Sequence, residues 1–514
     1  MDINSRINHL IELVEIELEK YVKLDQNKNY RVYDPIENKT INEHYADTHY
    51  ATAKLIRSLQ SSDPIQIDLS KKMIYDILDT IDDYSKLPGY HNDFNLFALC
   101  VAFDNLEDDI ELSSRLKAKI LIVPDSNHLT TNWLPMRIFV NKHRYEWTNK
   151  TIYLDKCDEL VMSIKKVTFN DGFIDDRYPK GVSYNLQYNV ATVSSLLFTK
   201  LRYDIDIDLE TSLSSLISAI FPDGDINYFG RGTNQIFAWG LWIYLLSTVK
   251  QDKILDLSLT YLENKIPEML LNNNIFLNHR KGKEKYMWWD YHYSIVYTSH
   301  LYLWLVLSLQ DTNKFLYVPQ NTEISDSGIK IFKNNDSQVI LFAGRKEYLS
   351  ERGPSIAGIW TKKYGTIKKG YFGPWGGPFG NKYLEKDITF RNFIGLLQMK
   401  INSETCANKI LRKLGVFMTK KNYQIISPEF DNIGVFISKE YIKLRYNSKS
   451  SKSKFMNFPI MYDSSLTDND FEIRANEIKI ETKLVGKIED QYGLCNLYQS
   501  NTSPAKNWEI LIKL

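Results

Sequence analysis

Five of the six residues from Tyr184 to Asn189 are tyrosine, asparagine or glutamine: Tyr184, Asn185, Gln187, Tyr188 and Asn189. They open an apolar run whose spacing predicts a helix over 184–202, with Tyr184 and Tyr188 on one face at i and i+4. A phenol exchanges a proton in catalysis when a neighbouring cation lowers its pKa, and Arg231 and Gln235 open the next such helix. Each opening follows an acidic turn. Asp171-Gly172, with Asp175 and Asp176 close behind, leads into the first helix; Asp223-Gly224-Asp225 leads into the second. The stretch from Asp171 to Gly240 reads as the floor of a cleft, with these two turns inside it. Their carboxylates are the groups a glycoside hydrolase would need in facing pairs. A third candidate is Asn132-Trp133 at the head of a helix, and a fourth is YMWWDYHYSIVYTSH at 286–300. In the latter, Trp288 and Trp289 offer faces on which sugars stack, and His292 offers a group that titrates near neutrality. The Gly-, Pro- and aromatic-rich stretch at 370–383, containing Trp375, reads as a long loop reaching over the cleft.

These residues need helices to hold them. Apolar periodicity predicts helices over 1–24, 43–61, 69–85, 92–103, 110–122, 129–145, 155–167, 184–202, 209–220, 234–249, 254–270 and 290–309. Short turns rich in Gly, Pro, Asn and Asp join them. Near residue 310 the period falls to two. IKIFKN, SQVILFAG, NIGVFISKEYIKLRYN, FEIRANEIKIETKLVG and WEILIKL read as antiparallel strands. The expected fold is therefore α+β and multidomain: an (α/α) toroid of helical hairpins over 1–315, followed by a β-sandwich over 316–514.

Taken in order, NHLTTNWLPMRIFVN, DGFIDDRYPKGVSYNLQYN and YFGRGTNQIF resemble the toroid-type polysaccharide lyases, the chondroitin/hyaluronate lyase and heparinase II/III-like group. The same order is similar to an uncharacterised bacterial family of related helical proteins. The lyase resemblance implies cleavage of a uronate-containing polymer by β-elimination. It implies roles for Asn132, for a tyrosine and for Arg231, with Trp133, Asn185, Gln187, Asn189, Gln235, Trp288, Trp289 and Trp375 contacting substrate. Where the family carries a histidine after the Asp-Gly turn, this chain has Asp175, Asp176 and Arg177; where it often carries a second arginine, this chain has Gln235. The proton beside a carboxylate is weakly acidic, so an amide (Asn132) and a cation (Arg231) would stabilise the charge that develops as it leaves. Tyr188, or alternatively Tyr184, would move the proton, and His292 is the alternative base.

Composition bounds the rest. Aromatics make up 13% of 514 residues, with 33 Tyr and 10 Trp, which suits large cores or a ring-lined cleft. The formal net charge of +1 gives no global field that demands nucleic acid. Residues 321–514 are net +10 and the remainder net −9, compatible with an anionic ligand held between two parts. Cys100, Cys157, Cys406 and Cys495 are scattered, without metal or disulfide spacing. HYADTH at 44–49 lacks the HExxH arrangement of a zinc site. No cofactor or metal is expected, no membrane span is read, and the absence of a leader pattern makes a cytoplasmic setting the expectation. The partner is an acidic polysaccharide or oligosaccharide; the oligomeric state is not legible. A glycoside hydrolase on the same scaffold, or a non-catalytic glycan-binding or biosynthetic protein, would use the same cleft.

Overall fold

The computed structural model describes residues 2–34, 39–40, 44–81, 91–106, 109–126, 130–176, 186–226, 228, 236–269, 294–310, 315–320, 326–343, 355–369, 430–448, 455–490, 493–501 and 505–514. Its helices sort by apolar pattern into two kinds. α1 (Ile3–Glu19), α3 (Pro64–Thr80), α5 (Ile110–Ile122), α7 (Ile152–Lys165), α9 (Glu210–Ser218) and α11 (Asp252–Met269) bury at most part of their surface. In α5 the buried stripe is Leu112, Leu116, Lys119 and Ile120, one face of an amphipathic helix. α2 (Tyr45–Ser61), α4 (Asn92–Phe103), α6 (Leu134–Thr148), α8 (Leu186–Lys200), α10 (Phe237–Thr248) and α12 (Ser294–Gln310) are enclosed to a much greater degree. Sequences such as FAWGLWIYLLST and NDFNLFALCVAF are apolar nearly all round, and such helices must be covered on every side.

The packing follows that division. Each even-numbered helix packs on the next, and α12 returns to α2, so the six close a cycle of contacts. The odd-numbered helices pack on the outside of the cycle, α1 on α12 and α3, α5, α7, α9 and α11 on α2, α4, α6, α8 and α10. Among the described residues no helix is long and apolar enough to cross a membrane.

Between α1 and α2 lies a small antiparallel ribbon that helical periodicity does not announce: β1 (Val22–Leu24), β2 (Tyr30–Asp34) and β3 (Lys39–Thr40). It is fastened to α2 by Asp47, whose carboxylate accepts from Val32 N (2.7 Å) and Arg31 Nε (2.8 Å). The acidic residue of HYADTH is thus a fastener for the ribbon, and no metal-binding cluster occurs among the described residues.

The second part of the chain is antiparallel throughout its described pairings. β4 (Ile329–Lys333), β5 (Ser337–Phe342), β6 (Ser355–Thr361) and β7 (Gly365–Lys369) form a four-stranded sheet in chain order. β8 (Phe430–Ile437), β9 (Tyr441–Ser448), β11 (Phe471–Ala475), β12 (Ile478–Ile480) and β15 (Asn507–Lys513) form a second, ordered β12-β11-β15-β9-β8. β10 (Phe455–Met461), β13 (Thr482–Asp490) and β14 (Gly493–Asn501) form a third, ordered β10-β14-β13. β5 explains why SQVILF reads as one unbroken apolar run. Val339 and Leu341 face a core shared with the other sheets, while Ile340 and Phe342 face the helical core. Because side chains alternate across a strand, a sheet covered on both faces needs apolar residues at every position. The β4–β7 sheet is therefore the layer that joins the two parts of the molecule.

Candidate active site

Each inner helix follows an outer one, and residues from the first two turns of the inner helices meet at one end of the cycle. Tyr45 of α2 stacks on Phe94 of α4 at 4.6 Å, and Phe94 meets Trp133, just before α6, edge-on at 5.4 Å. Phe237 of α10 lies 6.2 Å from Tyr188 of α8 and 5.2 Å from Tyr297 of α12. His300 of α12 bridges the two groups, 5.8 Å from Phe237 and 6.4 Å from Phe94. His49, one turn into α2, stacks on His300 at 5.2 Å, and His91 packs against both Tyr45 (5.2 Å) and Trp133 (6.0 Å). Tyr45, His49, His300, Trp133 and Phe237 are buried; His91, Phe94, Tyr188 and Tyr297 are partly exposed and form the lining.

Asn132 belongs to this mouth. It lies in a single 3-10 turn, Thr131–Trp133, that leads into α6 and abuts α8. Thr131 N donates to Asp176 O (2.8 Å), and Asn189 Nδ2 donates to Ile174 O (2.8 Å). The Asn-Trp turn, the segment before α8 and α8 itself are therefore stitched together, as the order of the sequence motifs suggested. Several polar atoms here have no hydrogen-bond partner although buried: Asn132 Oδ1, Thr131 Oγ1, Asn189 Oδ1 and His49 Nε2. His49 Nδ1 lies 3.0 Å from Tyr45 O, so Nδ1 carries the proton and Nε2 is left as an acceptor. Buried polar atoms are otherwise nearly always paired.

Burial also sets the charge of the mouth. It holds His49 well below the usual histidine range, helped by the nearness of His300 and His91, and it pushes His300 down to about 3. Burial raises Tyr45 well above the usual tyrosine range, with Tyr297 and Tyr188 adding to the effect.

Of the residues singled out from sequence, Asn132, Trp133, Gln187, Tyr188 and Asn189 lie in or beside this mouth. Tyr184, Asn185, Arg231, Gln235, Trp288, Trp289, His292 and Trp375 lie outside the described residues. Tyr45, His49, His91, Phe94, Phe237 and His300 were not anticipated; the signal that would have found them is their place in the first two turns of alternate helices.

The acids of the two Asp-Gly turns are engaged with the sheet layer. The Asp171 carboxylate accepts from Ser327 Oγ (2.6 Å) and Ser327 N (3.2 Å), just ahead of β4. Asp223 accepts from Thr366 Oγ1 of β7 (3.2 Å). Asp225 is ion-paired with Lys369 of β7 and accepts from Tyr261 Oη of α11 (2.9 Å), while Lys369 Nζ donates to that same Oη (2.6 Å). These acids fasten the sheet layer to the helices. The glycines make the turns tight: Gly172 and Gly224 have φ of +85° and +92°, and a Cβ on either would stand 2.5 Å from the backbone of α9 or α11.

No protein-family model and no curated protein sequence matches the chain. Among solved structures it is similar to the Lin0763 protein from Listeria innocua, at 13% identity over 62% of this chain and 100% of that one, TM-score 0.45. It is similar to the GH76A α-1,6-mannanase from Salegentibacter sp. HEL1_6, at 10% identity over 59% and 99%, TM-score 0.43. It is also similar to a polysaccharide lyase, at 12% identity over 60% and 99%, TM-score 0.39. These are distant likenesses of part of the chain, and no activity is transferred from them.

Proposed function

We propose that this chain is a carbohydrate-active enzyme on an (α/α) toroid, and that it cleaves an acidic, uronate-containing polysaccharide by β-elimination. One observation carries the reading: aromatic rings and unpartnered buried acceptors share one end of the helical cycle. A sugar presents C–H faces to rings and O–H groups to the amides beside them, so the mouth suits it. Asn132 Oδ1, Asn189 Oδ1 and His49 Nε2 are the acceptors; Trp133, Phe94, Tyr188 and Tyr297 supply the rings.

The carboxylates narrow the hydrolase reading to one pair, Asp175 and Asp176. Asp171, Asp223 and Asp225 are occupied in fastening the sheet layer, which withdraws three of the five acids a hydrolase could have used. In elimination Asn132 would stabilise charge developing on the uronate carboxyl, Arg231 would neutralise it, and the Tyr188 hydroxyl would protonate the departing oxygen. Asp175 and Asp176 support hydrolysis as the second reading, since their segment is bonded directly to the Asn-Trp turn.

The test is an ultraviolet assay on a panel of acidic polysaccharides, because elimination leaves a conjugated 4,5-unsaturated uronate and hydrolysis does not. Wild type should produce the absorbance, and Tyr188→Phe should lower turnover about 10²–10⁴-fold while keeping substrate affinity. New reducing ends without absorbance, abolished by Asp175→Asn or Asp176→Asn, would establish the hydrolase instead.

A further inference from the structure

The five-stranded sheet has two unlike faces. Leu444 of β9, Ile473 of β11 and Ile510 of β15 enter the core it shares with the other sheets. Side chains alternate along a strand, so the residues on either side of these three point the other way. Lys443 and Arg445 of β9, Arg474 of β11, Lys479 of β12 and Lys513 of β15 stand on that outer face, with Glu472 and Glu509 among them. Register sets them side by side. Lys479 opposes Arg474, Arg474 opposes Glu509, and Glu509 opposes Arg445, one row across four strands spaced about 4.8 Å apart. Both carboxylates are shared. Glu509 lies 2.8 Å from Arg445 and 3.6 Å from Lys443; Glu472 lies 2.5 Å from Arg474 and 3.6 Å from Lys479. Cations therefore outnumber acids on this face, and side-chain exposures of 57% for Arg445 and 73% for Lys479 keep them open to solvent. At the β8 edge Phe436 opposes Lys443, is 56% exposed and lies 6.0 Å from the Tyr441 ring.

We propose that this outer sheet face holds a chain of acidic polysaccharide. The role rests on the acidic-glycan reading above and adds a second place where the polymer is gripped. The face belongs to the core of the sheets, whereas the mouth belongs to the helical core.

Charge names the occupant. Residues 321–514 are net +10 in a chain of net +1, and this face concentrates part of that excess. A uronate polymer spaces carboxylates along a chain and interleaves them with hydroxyls and C–H faces. Guanidinium and ammonium groups take the carboxylates, the Phe436 ring takes a C–H face, and Glu472 and Glu509 accept from hydroxyls. A nucleic acid carries a phosphate at every step, and two carboxylates set among the cations oppose so dense a charge. An open sheet face has no walls to enclose a small molecule; a long chain lying across the strands needs none.

Affinity electrophoresis of the full chain tests this, run in the cold in gels containing polygalacturonate, alginate, hyaluronan or neutral dextran. At least one acidic polymer should retard wild type, and dextran should not. Arg445→Gln/Lys479→Gln should weaken that binding about 2–30-fold, the effect of losing two exposed charge contacts. Lys443 stays on Glu509 and Arg474 on Glu472, so neither acid is stranded. Phe436→Ser, which touches no ion pair, should weaken binding about 2–10-fold and decides the matter if the double variant melts early. Lys150→Gln/Lys253→Gln removes two exposed lysines from the helical part and should bind as wild type does. Face variants that are retarded like wild type, or a control pair that loses as much, overturn the assignment. So does a wild type that none of the three acidic polymers retards, or one that duplex DNA holds more tightly than any of them. The ultraviolet assay judges the lyase reading separately. A wild type that is retarded but forms no unsaturated product loses the lyase reading and keeps this surface; an active wild type whose face variants bind unchanged keeps the lyase reading and loses the surface.

Discussion

The mouth of the helical ring and the joint between ring and sheet are built from the same kinds of residue, and they differ in how those residues are satisfied. At the joint, Asp225, Lys369 and Tyr261 saturate one another, Asp171 is taken by Ser327, and Asp223 by Thr366. At the mouth, Asn132 Oδ1, Asn189 Oδ1 and His49 Nε2 are buried and have no partner. A buried polar group left unmade costs about 1–3 kcal/mol, and Asn132, Asn189 and His49 bring three such atoms to one end of the ring. The polar cluster at the joint fastens the sheet layer to the helices; the one at the mouth is where the proposed glycan would bind.

That contrast can be broken most sharply at Asp225. Its carboxylate is 1% exposed and Lys369 is 7% exposed, so removing the acid strands a buried ammonium. Asp225→Ala should destabilise the protein by about 3–5 kcal/mol in urea unfolding. A loss below about 1 kcal/mol would mean the pair is solvated and the joint is no better satisfied than the mouth.

Gly224→Ala comes next. The turn has φ of +92°, and the new Cβ would lie 2.5 Å from Leu257 C and O. Positive φ and forced displacement of α11 backbone together should cost about 2–4 kcal/mol. Gly172→Ala, with the same geometry against Thr211, should behave alike. If either variant melts with wild type, the two turns are not the tight seats described.

The joint should also respond to pH. Burial, reinforced by the charge on Asp225, raises Asp223 to about 6. A carboxyl raised on folding contributes stability below its unfolded pKa, and that contribution is lost as pH rises through about 6. Asn at this position can still accept from Thr366 and carries no charge to desolvate. The stability of Asp223→Asn relative to wild type should therefore increase between about pH 4 and 7, by on the order of 1–2 kcal/mol. Matched melts across that range check it, and a constant difference rejects it.

These assignments also show what a sequence discloses. Helix identity was legible because the 3.6-residue period is strong: α4 and α5 fall on the expected 92–103 and 110–122. The ribbon at 22–40 was not, since strands of two to five residues carry too few side chains to establish a period. Asn132 and Tyr188 could be singled out because each sits in a run of polar residues opening a helix, and both lie at the mouth. His49, His91 and His300 were not, because they come from α2, the start of α4 and α12, and only closure of the cycle brings them together. The partners of the Asp-Gly acids were not legible either. A sequence shows an acid in a turn but not the direction it faces, and the partner of Asp171 lies 156 positions downstream.

The smallest expected effect on stability is the most telling. Asn132 is 7% exposed and its Oδ1 has no partner. If it served the fold, replacing it with an apolar residue of similar volume would break bonds and cost stability, as at the joint. If it serves a ligand, Asn132→Leu removes a buried polar atom that the fold does not use. Stability should then stay within about 1 kcal/mol of wild type or rise, since replacing an unsatisfied polar group by an apolar one of like shape is near neutral or favourable. Turnover in the ultraviolet assay should fall about 10²–10³-fold, the span seen when one charge-stabilising donor is lost. Trp133, packed edge-on against Phe94, reports whether the turn itself survives, through unchanged near-ultraviolet circular dichroism. A variant that melts early with its activity per folded molecule intact would move Asn132 to the structural side of the comparison. A variant that keeps its melt and loses its turnover would show that the unsatisfied end of the ring is the working one.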